Sequence, residues 1–165
     1  MTLTIRPSRD EDRAAIHQVE EAAFGRDDEA GLVDKLIAGS DDVLELVAER
    51  DGDIIGHILF TRLCVEGQDG NFDAVALAPL AVAPEAQRHG VGNALVTEAH
   101  RLLQARGETL SVVLGEPAYY GRFGYRHARA ASFECEWQCE ELQAIAWGDA
   151  PVAGRLVYAP AFSEL

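Results

Sequence analysis

The sequence predicts a mixed α/β fold, an antiparallel meander of strands that ends in one strand–helix–strand step. Three observations predict it. Between residues 43 and 82, runs rich in β-branched and apolar residues are separated only by short polar turn signals. Val91, Ala94, Leu95, Ala99, Leu102 and Leu103 then recur at three- and four-residue steps, so residues 91–106 form an amphipathic helix. Beyond Gly107, residues 109–114 are an apolar run of the kind buried on both faces of a sheet. A crossover of that length makes residues 80–83 and 109–114 parallel neighbours.

The elements follow in order. Residues 2–6 alternate and form a strand that Pro7 ends. Ser8 and Glu11 have capping-box spacing, and the helix behind them places Ala15, Ile16, Val19, Ala22 and Ala23 on one face until Gly25. A second helix turns Leu32, Val33, Leu36 and Ile37 inward and stops at Gly39. Residues 43–49 and 54–65 are strands joined by an Asp51-Gly52 hairpin turn. After a polar loop at 66–71, the strand at 72–82 is interrupted by Pro79. A proline removes a ladder donor, so the ladder toward 109–114 opens there and leaves backbone groups at 80–82 unpaired. Pro117 opens a short helix that Gly124 ends. Residues 132–137 form a strand, residues 140–147 carry no clear period, and the alternation at 154–162 closes the sheet.

Composition narrows the function. The 165 residues make one domain, residues 1–165, with a single core. No run of 18 apolar residues is present and the N-terminus lacks a signal-peptide pattern, so no membrane association is expected. Cys64, Cys135 and Cys139 are an odd set, expected as reduced thiols in a cytoplasmic protein. The Cys135-x3-Cys139 spacing has no second ligand pair nearby, so no metal is expected. A formal net charge of −14 excludes nucleic acid as a partner, because phosphate backbones need a basic face. Lys35 is the only lysine among the 14 basic residues, a balance that suits a high-salt cytoplasm or GC-rich coding alike.

The chemistry is concentrated at residues 87–93. A helix N-terminus carries unpaired N–H groups and partial positive charge. Gly90 and Gly92 let an anion approach those groups, which makes an anion cradle of Gln87, Arg88, His89, Gly90, Val91, Gly92 and Asn93. It is not a phosphate-binding P-loop, because Asn93-Ala94 follows Gly92 where lysine and a hydroxyl residue are needed. Nor is it a dinucleotide fingerprint, because Leu95 stands where a third glycine is needed.

The string Gln87-x-x-Gly90-x-Gly92 resembles the signature of the GNAT superfamily of acyl-CoA N-acyltransferases. Tyr120-x-x-x-Gly124-Tyr125 resembles the family's Tyr-x-x-x-Gly-Phe segment, with tyrosine for phenylalanine at 125. The run from Leu114 to Tyr125 and the late Val157–Phe162 stretch look like the YhbS-like subgroup of predicted N-acetyltransferases. The resemblance covers nearly the whole chain, weakly at 25–45 and 130–150. It implies a mixed, mostly antiparallel sheet of six to seven strands, splayed at its centre and flanked by about four helices. It also implies acetyl transfer from acetyl-CoA to a primary amine of a small molecule or protein. Coenzyme A would lie on Leu80, Ala81, Val82, the cradle residues, Gly115, Tyr120 and Phe123. The Val82 N–H would polarise the carbonyl and the Tyr120 phenol would protonate the departing thiolate. Tyr119 is the rival phenol, one residue off the family spacing.

A general base is less evident. Residues 75–79 hold no acid, and Asp73 and Glu66 lie further back. His57 has a suitable ordinary pKa; a water relay or an amine arriving neutral are the other routes. Arg88, His89 and Arg122 would offset the repulsion between an anionic cofactor and an anionic protein. Glu116, beside the short helix, would steer a cationic acceptor or simply be solvated. The acceptor would be set by the loop at 24–28 and by 133–147, with Phe24, Trp137 and Trp147 as pocket or core aromatics. The acidic surface favours a cationic amine, on a monomer or homodimer. The alternative reading is a non-catalytic acyl-CoA-binding sensor.

Overall fold

The computed structural model describes residues 2–164. Its centre is the hairpin of β3 (Asp53–Gly67) and β4 (Gly70–Val82), the two longest strands. β1 (Leu3–Pro7) and β2 (Asp42–Arg50) extend the meander on one side, all antiparallel. Asp51 and Gly52 both have positive φ, 54° and 85°, which is the mirror-image turn that a two-residue hairpin needs. The polar loop expected at 66–71 shrinks to a tight turn, because the ladder continues to Gly67 opposite Gly70.

Beyond β4 the chain makes a helical crossover. α3 (Val91–Ala105) returns to β5 (Leu110–Leu114), which runs parallel to β4. The sheet has eight strands rather than six or seven. The addition is β7 (Leu142–Ala146), antiparallel to β5 in the segment that showed no clear period. There Gln143 is buried among its apolar residues and donates to the Gly115 carbonyl at 3.1 Å. The expected closing strand is β8 (Ala153–Val157), which pairs with β3 where β2 has ended and carries the three-residue β6 (Ser132–Glu134) on its outer edge. β8 therefore stops at Val157 instead of running to residue 162. Residues 159–162 turn inward, and Ala161 and Phe162 bury themselves under the helices.

Two helices cover the opposite face of the sheet from α3. α1 (Arg13–Phe24) buries Ile16, and α2 (Asp28–Ala38) buries Leu32, Val33 and Leu36, over Val47 and Leu59, while Val19 of α1 joins the cluster that includes Ile55 and Leu77. The expected α1 face is displaced, since Ala22 is exposed and Glu20 is fully buried. The expected cap shifts by one residue too. Asp12, not Glu11, accepts the backbone N–H of Arg9 at 2.7 Å, while Ser8 turns to Glu45. On the other face α3 packs Leu95, Val96, Ala99 and Leu103 onto Leu46, Ile58, Phe60 and Leu77. Gly56 sets how close it comes: a Cβ there would lie 2.9 Å from Val91 and 3.0 Å from Leu95. The start of α3 is thereby held tight against β3. Two short helices, α4 (Pro117–Tyr120) and α5 (His127–Ala130), complete the chain between β5 and β6.

Candidate active site

Pro79 opens the sheet as expected. On β3, Ile58 pairs with Leu80 and Phe60 with Leu77, so Ala78 and Pro79 together face Leu59 in a bulge. Toward β5, pairing covers only Val75–Leu77 against Ser111–Val113 and then ceases. Residues 80–82 keep β3 as their only neighbour. Hydrogen-bond parity fixes which groups they leave free. The Ala83 N–H bonds the Ile55 carbonyl at 2.8 Å, and directly opposed antiparallel residues alternate between bonded and non-bonded pairs. Ala81 therefore spends its backbone groups on His57, whereas Leu80 and Val82, opposite Ile58 and Gly56, point theirs away from β3 into the gap. The Val82 carbonyl is taken by the Gln87 side-chain amide at 3.0 Å. That leaves the Val82 N–H and both backbone groups of Leu80 facing the cleft.

The loop at 87–93 closes one end of this edge. Arg88 and Gly90 both have positive φ, 68° and 83°, and open space surrounds the position a Gly90 Cβ would take. Gly90 thus serves the backbone path into α3, and the Ala94 N–H closes the first helical bond onto its carbonyl at 3.0 Å. The N–H groups of Val91, Gly92 and Asn93 have no helical partner and point out of the first turn. Gly92 is small for a different reason: a Cβ there would sit 2.5 Å from the Tyr119 hydroxyl. Leu80, Val82, Gln87, Arg88, Gly90 and Asn93 line a cleft of about 550 Å³, with Val91, Gly92, Tyr119 and Arg122. An extended chain of backbone donors and acceptors, ending at unpaired N–H groups between two arginines, fits a ligand with amides at one end and an anion at the other.

Of the residues expected to hold the cofactor, five stand outside that lining: Ala81, His89, Gly115, Phe123 and Tyr120. Ala81 is buried and turned to the α1 face, sharing it with its cross-strand partner His57. His89 is exposed beside the loop. Phe123 packs edge-on against Tyr119 and His100, and Gly115 bridges β5 to β7 through Glu141 and Gln143. The two tyrosines also differ from expectation. Tyr119 lines the cleft, with the Arg122 guanidinium 4.6 Å above its ring. Tyr120 lies half-buried beneath it, over Gly115, where a Cβ would collide with the ring. Burial raises both phenols above their usual value, Tyr120 the more strongly, and Arg122 opposes the shift at Tyr119. Both phenols stay protonated at neutral pH. Tyr125, in the phenylalanine position, is sealed, its hydroxyl bonded to Ser111 at 2.8 Å and His100 at 3.0 Å. Arg122 reaches Asn93 at 3.2 Å, which ties α4 to the cradle.

His57 does not face the cleft. Its ring is fully buried, with Nδ1 2.6 Å from Glu20 and Nε2 2.7 Å from Glu45. Burial works to lower its pKa, but the two carboxylates outweigh it and hold the ring protonated. A charged imidazole with both nitrogens engaged has no lone pair to offer an amine. Trp147 is likewise part of the core, 4.9 Å from His100, whereas Phe24 is exposed and Trp137 packs on Tyr158 and Phe162.

A sheet splayed after a bulge, with a loop–helix anion cradle at the mouth of the gap and a tyrosine pair below it, defines an N-acetyltransferase fold. The comparisons agree. The Acetyltransferase (GNAT) domain family matches residues 4–128, and the chain belongs to that family. The chain is 40% identical over 116 residues to the uncharacterized N-acetyltransferase YjhQ of Escherichia coli K12, a match that spans 69% of this chain and 64% of YjhQ. It is 35% identical over 127 residues to YhbS of the same strain, spanning 76% and 75%. The solved structure of YhbS with CoA superposes with a TM-score of 0.89 at 32% identity, covering 98% of this chain and 92% of that one. A GNAT family acetyltransferase from Brucella melitensis in complex with acetyl-CoA gives 0.83 at 33%, covering 98% of both.

Proposed function

We propose that this chain transfers the acetyl group of acetyl-CoA directly to a primary amine within a ternary complex. The observation that carries the reading is the free backbone edge of Leu80 and Val82, open to a gap that ends at the α3 cradle. The acetyl-CoA-bound and CoA-bound relatives support the choice of ligand. Bound acetyl-CoA would supply an activated acetyl thioester. Leu80 offers its backbone N–H and carbonyl to the pantetheine amides, and the cradle at 87–93 with Arg88 and Arg122 takes the pyrophosphate. The Val82 N–H stabilises negative charge developing on the carbonyl oxygen. Tyr120 gives its proton to the leaving thiolate, its raised pKa keeping the phenol loaded for that step. The side chains lining the cleft include no carboxylate or imidazole, so the amine loses its proton to water or arrives neutral.

The acceptor enters from the α1 face. There Leu114, exposed at the end of β5, adjoins the gap, and Ala78 of the bulge packs into the same apolar cluster as Trp137 and Tyr158. A pocket of about 540 Å³ sets Trp137, Tyr158 and Phe162 beside Glu134 and Glu136, with Arg155 also in its lining but paired to Glu66 at 2.8 Å. Aromatic faces with carboxylates favour an ammonium group, and we read the acceptor as a cationic amine. The three cysteines are free, consistent with a cytoplasmic protein.

The test is thiol release from acetyl-CoA across a panel of polyamine, aminoglycoside, lysyl-peptide and neutral amines. Turnover with a cationic member is expected, with kcat falling at least about tenfold in Tyr120→Phe. If Tyr119→Phe shows that loss and Tyr120→Phe does not, the acid is Tyr119. The lack of a base in the cleft favours one other reading, a sensor that binds acetyl-CoA without turnover. Binding with no thiol release by any amine would select it.

A further inference from the structure

The fully buried Glu20–His57–Glu45 cluster has no part in the steps above. It gathers one residue from each of α1, β3 and β2. On its β2 side, Glu45 also accepts from Ser8 at 2.5 Å and from Arg13. Glu20 depends on the ring, because its other carboxylate oxygen is buried with no partner among the described residues. Charged groups face His57 from α1 (Glu20) and from β2 (Glu45); Arg13 of α1 reaches Glu45 from the other side, and Glu29 of α2 acts on Glu20 through space.

The position of the cluster matters more than its chemistry alone. β3 is the sole support of residues 80–82, since pairing with β5 has ended at Leu77. That support consists of three residues, Gly56, His57 and Ile58, paired with Val82, Ala81 and Leu80. Gly56 has no side chain and Ile58 points to the α3 core. His57 is therefore the only one of the three that anchors the strand to elements on the α1 face. Its two hydrogen bonds are charge-assisted and directional, which apolar packing is not.

We propose that His57 is a positioning residue for acetyl transfer: clamped between Glu20 and Glu45, it fixes the segment of β3 that holds Leu80 and Val82 in place beside the gap. The proposal rests on the reading of Leu80–Val82 as the thioester-binding edge. It separates two ends of the site, because the cradle at 87–93 takes its N–H groups from α3, which meets β3 at Gly56 on the face opposite the His57 side chain.

The test uses His57→Gln, with Glu45→Gln as a milder variant that leaves the ring and its bond to Glu20. Both are assayed well below their melting temperatures. Two quantities are read: the steady-state constants for acetyl-CoA, and amide hydrogen exchange at Ala81 and Ala83, whose N–H groups bond to β3, relative to Leu46 and Val112. The expected result for His57→Gln is a loss of kcat of at least tenfold with the KM for acetyl-CoA within threefold. Exchange at Ala81 and Ala83 should quicken while the reference amides keep their rates. Glu45→Gln should shift both readouts the same way by less. A folded His57→Gln variant with kcat within twofold and unchanged exchange overturns the proposal. If His57→Gln does not fold, Glu45→Gln decides it by the same two readouts. Exchange needs no turnover, so a wild-type protein that acetylates nothing refutes the functional reading while the clamp is still decided by its amides.

Discussion

Gly90 and Gly92 are two residues apart and are glycine for unrelated reasons. Gly90 needs its backbone: a φ of 83° suits glycine, and a β-branched side chain there costs about 1–2 kcal/mol. Gly92 needs its size, because the Tyr119 hydroxyl occupies the space a methyl would take. Gly90→Val should accordingly distort the cradle without a loss of core. Its acetyl-CoA affinity, measured by calorimetric titration, should fall at least about tenfold, equivalent to 1.4 kcal/mol or more. Its melting temperature without ligand should move by only a few degrees. Wild-type affinity in that variant would refute the cradle. The Gly-x-Gly spacing was legible in the sequence because turn geometry is local. The relation of Tyr119 to Tyr120 was not. Adjacent residues of a one-turn helix point about 100° apart, and which one meets the cleft depends on the room left at Gly115 and at Gly92, the latter distant in sequence.

At the scale of elements, the charge cluster joins α1 to β2 and β3, and it makes stability depend on pH in a predictable direction. His57 has its pKa raised in the fold, so its contribution is complete below the ordinary 6.5 and is lost as pH rises through the folded value. Burial acts to raise Glu45, but its bonds to His57, Ser8 and Arg13 prevail and hold it down at about 2. That contribution is present above the ordinary 4.5 and is lost as pH falls toward 2. Glu20 acts in the opposite sense, since burial raises its carboxyl, so Glu45 is the firmer counter-charge. His100, between α3 and Tyr125, is lowered by burial to about 4, so the fold loses stability as pH drops from 6.5 to 4. Thermal unfolding across pH should therefore show an acid limb that begins near pH 6.5. His57→Gln should remove part of the alkaline limb, and His100→Asn should flatten the start of the acid one. An alkaline limb unchanged in His57→Gln would show that the ring is not held charged. None of this was visible along the chain. A lone strand histidine gives no sign of its partners, and Glu20 interrupts the apolar face of α1 that period alone assigns. Strand β7 was obscured for a similar reason, because tertiary pairing and not alternation specifies it; β8 was legible from its alternation, and only its end at Val157 was not.

Across the whole molecule, one structural event makes the site. The sheet is continuous from β1 to β4 and again from β5 to β7, and the bulge at Ala78–Pro79 ends the ladder between the two halves. Pro79 announced that break in the sequence, because a proline within a long apolar strand has few other places to be. The anionic surface, −14 overall, bears on an anionic ligand only at long range. Arg88 and Arg122 at the cleft supply the local positive charge. The most direct test of the account is the crystal structure of this chain with coenzyme A. The predicted result places the pyrophosphate on the N–H groups at the start of α3 and the pantetheine amides against the Leu80 backbone. The thiol should then end beside the tyrosine pair. Coenzyme A bound elsewhere, or a β4–β5 ladder zipped closed past Leu77, would contradict it.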